Sequence, residues 1–119
     1  MKTTAKHFEE FKAEFRRWQE YFGCMDWEAS FEWKPLDDAD AEIAWNIEGK
    51  LVTASLNKKV DREDIKGLAF HEAVELWLVP LRYLCKSLFI DYDIMKHEFH
   101  GIVRFIENRL YPLIKGGGK

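Results

Sequence analysis

The spacing of apolar residues changes twice along this chain of 119 residues, and the changes limit the folds that it can adopt. Between residues 4 and 22, aromatic side chains recur every three or four positions, which is typical of an amphipathic helix. Between Trp27 and Ser55, apolar and polar residues alternate, as they do in strands with one face in water. After Asp61 the helical spacing returns. A helix, a run of strands and further helices together predict an α+β fold.

Three strands are predicted within the alternating region. The first runs from Trp27 to Trp33. The second, around Trp45, and the third, over residues 51–55, are separated by Glu48-Gly49-Lys50, which favours a hairpin with glycine in its turn. We therefore expect a three-stranded antiparallel sheet.

Two helices are predicted after the sheet. Asp61 is expected to open the first helix, with Asp64 as an acidic capping residue. The helix is expected to run to about Val79, and at Pro80 the chain should kink or start a new helix. The second is expected to run from about Asp93 to Leu110. The predicted architecture is thus an N-terminal helix, a three-stranded sheet and two C-terminal helices.

One domain is sufficient for a chain of this length. We assign it to residues 1–115, and we expect the glycine-rich residues 116–119 to form a disordered tail.

The two cysteines, Cys24 and Cys85, do not make a disulfide framework, so both are expected to be reduced thiols.

The charge and hydropathy of the chain argue against two classes of partner. With 18 Lys and Arg against 21 Asp and Glu, the net charge is −3, and the chain lacks an overall basic footprint for nucleic acid. No window approaches 18 apolar residues, so no membrane span is predicted. The charged N-terminus lacks the apolar segment of a secretory signal, which makes the cytoplasm the expected location.

The segment His71-Glu72-Ala73-Val74-Glu75, in the first C-terminal helix, differs at one position from the pattern H-E-x-x-H. In that pattern two histidines on one helical face hold a metal, and the glutamate between them acts as a general base. Glu75 stands in place of the second histidine. At about 100° per residue, Glu72 lies within the apolar stripe of the helix, and His71 and Glu75 lie toward its edge. A carboxylate on an apolar surface is destabilising unless it is paired, protonated or bound to a cation.

The last helix repeats this anomaly, because Glu98 falls by the same angular count inside its apolar stripe. A bound cation would explain inward-facing acids on both helices, with Glu72 placed to polarise a water on the metal. The predicted ligands are His71, Glu75 and Glu98, with His97 and then His100 as substitutes for Glu98. The alternative is an internal ion pair of Glu72 or Glu75 with Arg82, Lys66 or Arg109.

The predicted donor set contains one imidazole and two carboxylates. It is a harder ligand set, in the sense of hard and soft ligands, than two imidazoles and one carboxylate, which often hold a catalytic zinc. Zinc is the first candidate for the divalent metal, and manganese and iron are alternatives.

Residues 70–81, around the H-E-x-x-E segment, and residues 97–110, His97 to Leu110, resemble the minimal zincin-like metallopeptidases, specifically the small phage-encoded ones. The resemblance implies peptide hydrolysis by a metal-activated water, with His71 as a ligand and Glu72 as the base. It also implies that an edge strand before the motif helix binds extended substrate by strand addition, which corresponds here to Leu51–Asn57. A phage origin would place the protein in the host cytoplasm.

Three functions are compatible with these features. The first is a metal-dependent hydrolase, most simply a peptidase acting on a peptide or protein substrate. The second is a catalytically inactive zincin-like scaffold that acts as a protein-binding module. The third is a magnesium site acting on nucleotides, as in all-helical pyrophosphohydrolases, and the predicted strands argue against it.

Overall fold

The computed structural model describes residues 1–87 and 92–114. The chain forms two units, Met1–Trp77 and a second that starts at Leu78. The single domain over residues 1–115 stays a prediction, and the tail 116–119 lies outside the described residues.

Helices and strands follow in the order that defines an α+β fold. They are α1 (Ala5–Tyr21), β1 (Glu28–Lys34), β2 (Ala41–Asn46), β3 (Leu51–Asn57), α2 (Ile65–Ser87), α3 (Tyr92–Phe105), a π-helical segment (Ile106–Leu110) and α4 (Tyr111–Ile114). Within the described residues no helix has the length and hydropathy needed to cross a bilayer.

Helix α1 begins and ends as its sequence predicts. Thr4 caps it by accepting a hydrogen bond from the backbone N–H of His7, whose side chain accepts in return from the N–H of Thr4. Gly23, with a φ of 72°, takes the left-handed conformation that ends many helices. The buried face of the helix carries Phe11, Phe15 and Trp18.

The sheet is mixed, with the strand order β1-β3-β2. The hairpin of β2 and β3 is antiparallel as predicted, but β1 pairs with β3 in parallel, so the prediction of a wholly antiparallel sheet is wrong. Gly49 lies in the hairpin turn as predicted, and the residue with left-handed backbone there is Lys50, with a φ of 54°. The connection from β1 to β2 therefore passes the end of β3.

The register places the apolar residues of all three strands on one face. Phe31 of β1 and Ile43 of β2 lie on either side of Ala54 in β3. Phe15 of α1 contacts Phe31 edge to face, with 5.6 Å between ring centroids. Helix α1 thus packs against this face, and the opposite face keeps the polar residues of the alternation.

Helix α2 begins later and ends later than predicted. Asp64, not Asp61, is its N-terminal cap, since its carboxylate accepts from the backbone N–H of Gly67 at 3.0 Å. A side chain at position 67 would collide with that carboxylate. The helix continues through Pro80 to Ser87, so an end near residue 79 is wrong, and a kink at Pro80 stays a prediction. Proline removes one backbone donor, and the leucines around it are strong helix formers that continue the helix.

The apolar stripe predicted for the last helix is only partly buried. Its members Phe99 and Ile106 are buried, its members Ile102 and Phe105 are exposed, and Val103, which lies outside the predicted stripe, is buried.

Candidate metal centre

Three potential metal ligands lie together on α2, within the first unit of the chain. His71, Glu72 and Glu75 each offer one donor atom, and these atoms all lie within 4.8 Å of one another. Donors at about 2.1 Å from a tetrahedral zinc are about 3.4 Å apart, so the group would contract on binding a metal. Positions 71 and 75 are one helical turn apart, which is why the backbone brings them together.

Glu72 is the most buried of the three, with 4% of its surface exposed, while His71 and Glu75 are half-buried. The Nδ1 atom of His71 and one carboxylate oxygen of Glu72 are fully shielded from solvent. Apolar neighbours on the same helix, Phe70 and Ala73, are also buried. Charge at this position is therefore felt through a medium of lower dielectric than water.

His71 and Glu72 lie at the wall of a cleft with a volume of about 770 Å³. Glu75 is not among the described residues that line it. The remaining lining residues come from the connection between β1 and β2, the start of β2, the end of β3, the segment between β3 and α2, and α2 itself: Leu36, Asp37, Asp38, Ala39, Asp40, Ala41, Asn57, Lys59, Asp61, Arg62 and Leu68.

Side chains of Asn57 and Asp40 fix the connection between β1 and β2 at the cleft. The Asn57 amide donates to the carbonyl oxygens of Leu36 at 3.0 Å and of Ala39 at 2.8 Å. The Asp40 carboxylate accepts from the backbone N–H groups of Asp61 and Arg62, each at 2.9 Å. The sequence interpretation missed both residues. No local signal marks them, because their partners lie 18 to 22 residues away along the chain.

The predicted site residues separate into two groups. His71, Glu72 and Glu75 are brought together, as the H-E-x-x-E spacing predicts. Glu98 and His97 belong to the second unit, and both are exposed. The inward orientation predicted for Glu98 is therefore wrong, because its side chain is exposed whereas that of the next residue, Phe99, is buried. The assignment of Glu98, His97 or the exposed His100 as ligands stays a prediction.

The predicted substrate-binding edge strand is also wrong in its position. Leu51–Asn57 is the central strand β3, with β1 on one side and β2 on the other, so its backbone groups are used within the sheet. Among the described strands, β1 and β2 form the edges of the sheet. Of these, β2 begins at Ala41, which lines the cleft.

The chain matches no protein-family description, no curated protein and no solved structure at a significant level.

Proposed function

We propose that this protein is a metal-dependent hydrolase that cleaves peptides, with His71 and Glu75 as metal ligands and Glu72 as the general base. The observation that carries the proposal is the grouping of three donor atoms within 4.8 Å beside a cleft of about 770 Å³. A cleft of this volume is within the range that accommodates a small ligand or several residues of a peptide.

The donor chemistry favours a divalent cation. One imidazole and two carboxylates suit zinc, manganese or iron, and the carboxylates reduce the net charge at the metal. A metal at this place would supply Lewis acidity to water and to the substrate carbonyl. Two neighbouring carboxylates, one of them almost fully buried, also favour a cation electrostatically.

Glu72 is suited to be the base rather than a ligand, because it borders the cleft and Glu75 does not. A carboxylate at the cleft wall can take a proton from water and return it to the leaving amine. Its low exposure limits competition from bulk solvent for that proton.

The substrate in this proposal is an extended peptide that pairs with the free edge of β2. Strand addition uses the unpaired backbone groups of an edge strand, and β2 has a neighbour on one side only among the described strands. Its first residue, Ala41, lies at the cleft, so a peptide along β2 would lead toward His71 and Glu72.

Two variants separate the roles of the glutamates. We expect Glu75→Ala to lose metal affinity by at least about tenfold, as seen when groups around a metal are removed. We expect Glu72→Gln to keep metal affinity but to lose cleavage by about a hundredfold or more, the range for removal of a general base. Glu10→Ala, which changes an exposed carboxylate on α1, is the control.

The measurements are metal titration by calorimetry and cleavage of a fluorogenic peptide library with zinc or manganese. Absence of metal binding by the wild-type protein would end the proposal. Loss of metal affinity in Glu72→Gln would instead make Glu72 a ligand. Backbone N-methylation of a cleaved peptide should abolish its cleavage if strand pairing holds it, and equal cleavage of the methylated peptide would refute that binding mode.

A protein-binding module without catalysis is the second candidate, favoured by the same free edge of β2. It differs in its metal requirement. Peptide binding that persists in the presence of a chelator, together with no cleavage under any metal tested, would support this function over the first.

A further inference from the structure

We propose that Asn57 and Asp40 are positioning residues that hold residues 36–41 as a fixed wall of the cleft, and that this wall determines peptide binding but not metal binding. This inference rests on the proposed peptidase function. It adds two residues that neither bind the metal nor take part in proton transfer.

We call the hydrogen bonds of Asn57 and Asp40 that hold this wall the brace. Its first part is the side chain of Asn57, at the end of β3. Its NH₂ group donates to two carbonyl oxygens, those of Leu36 and Ala39, and its Oδ1 accepts from the backbone N–H of Lys59 at 3.2 Å. The backbone N–H of Asn57 also donates to the carbonyl oxygen of Asp40 at 2.8 Å. The wall is thus attached to the end of β3 at three of its residues, Leu36, Ala39 and Asp40.

The second part is the carboxylate of Asp40, which attaches the same wall to the segment before α2. Its two oxygens accept from two consecutive backbone N–H groups, of Asp61 and Arg62. Hydrogen bonds to a charged acceptor are stronger than those between neutral groups. The wall is therefore held from both sides, by the end of β3 and by the chain that leads into the metal-binding helix.

Loosening the wall should change the affinity for a peptide but not the affinity for a metal. A metal on α2 needs only side chains of that helix, so a looser wall should leave its affinity unchanged. A peptide that lies against the wall would have to order it on binding, and that ordering lowers affinity. The expected signature is therefore a higher KM at constant kcat and constant metal affinity.

Asn57→Ala is the test variant, and Gln19→Ala is its matched control. The Gln19 amide also donates to two backbone carbonyl oxygens, of Cys24 at 3.0 Å and of Trp27 at 2.9 Å, but it lies away from the cleft lining. Both variants lose a side-chain amide that bridges two backbone carbonyls, and only one loses it at the cleft. A comparison between them removes the effect of general destabilisation.

Amide hydrogen exchange by NMR reports on the brace directly, because the N–H groups of Asp61 and Arg62 bond to Asp40. We expect both to exchange about tenfold faster in Asn57→Ala than in Gln19→Ala, since the two hydrogen bonds that hold Leu36 and Ala39, in the same segment as Asp40, are gone. We expect KM to rise about tenfold in Asn57→Ala, with kcat and metal affinity within twofold of wild type.

Unchanged exchange at Asp61 and Arg62 would overturn the brace, whatever the activity. Faster exchange with an unchanged KM, or an equal rise of KM in Gln19→Ala, would overturn its role in peptide binding. If the wild-type protein cleaves no peptide, the proposed function fails, and the role of the wall in peptide binding fails with it. That failure is seen in the wild-type protein, whereas failure of the inference alone is seen only in Asn57→Ala.

Discussion

Metal binding should stabilise the folded chain by an amount that can be calculated before the experiment. A ligand at one hundred times its Kd adds about 2.7 kcal/mol to the free energy of unfolding, provided that it binds only the folded state. The entropy of unfolding is about 2.1 cal/mol/K per residue, or about 250 cal/mol/K for 119 residues. The thermal midpoint should therefore rise by about 11 °C.

The assay is thermal unfolding followed by circular dichroism, with the metal concentration chosen from a prior calorimetric Kd. His71→Ala and Glu75→Ala each remove one donor from the group on α2, so the rise should largely disappear at the same metal concentration. Glu10→Ala should keep it in full. The reasoning is refuted by a rise below about 2 °C in the wild-type protein, or by an equal rise in Glu75→Ala.

Three further predictions concern stability and reactivity. Phe70→Ala should lower the free energy of unfolding by about 3–5 kcal/mol in urea titrations, because Phe70 is fully buried and its ring centroid lies 4.9 Å from that of Trp18. A loss below about 1 kcal/mol would contradict that packing. Burial, and secondarily the nearby Asp26, raise the pKa of the Cys24 thiol. Its contribution to stability is thus present below the ordinary thiol pKa and is lost as pH rises through the folded-state value, so the alkaline decline in stability should be shallower in Cys24→Ala; equal slopes would exclude Cys24 as a cause. Thr4→Ala removes the cap of α1 and should cost about 0.5–2 kcal/mol by the same urea assay, whereas an unchanged midpoint would mean that the cap contributes nothing.

Local spacing in the sequence predicts which residues are buried in the sheet better than it predicts which strands are neighbours. The alternation through Phe31 and Trp33 assigns these side chains to one face, and that assignment is the same for parallel and antiparallel pairing. The hairpin was predictable because a short turn with glycine joins its strands. The parallel pairing of β1 with β3 depends on packing across the whole sheet, which no local pattern records.

In the candidate site, too, local geometry was predictable and long-range contacts were not. The grouping of His71, Glu72 and Glu75 follows from helical geometry alone, so the motif predicted it. The wall of the cleft did not follow, because Asn57 and Asp40 meet their partners only when β3 is central and the connection from β1 passes its end. Part of the apolar stripe of the last helix was misassigned, since Ile102 and Phe105 are apolar but exposed, and periodicity cannot identify such residues.

The strand order β1-β3-β2 also sets the sequence of events during folding. The hairpin of β2 and β3 joins neighbouring segments, and such hairpins close within about 1–10 μs. Strand β1 is synthesised first, yet it has no partner in the sheet until β3 is complete, and pairing across a longer stretch of chain is slower. We therefore expect β1 to join last, so that nascent or partly refolded molecules hold a finished hairpin before the cleft beside α2 exists.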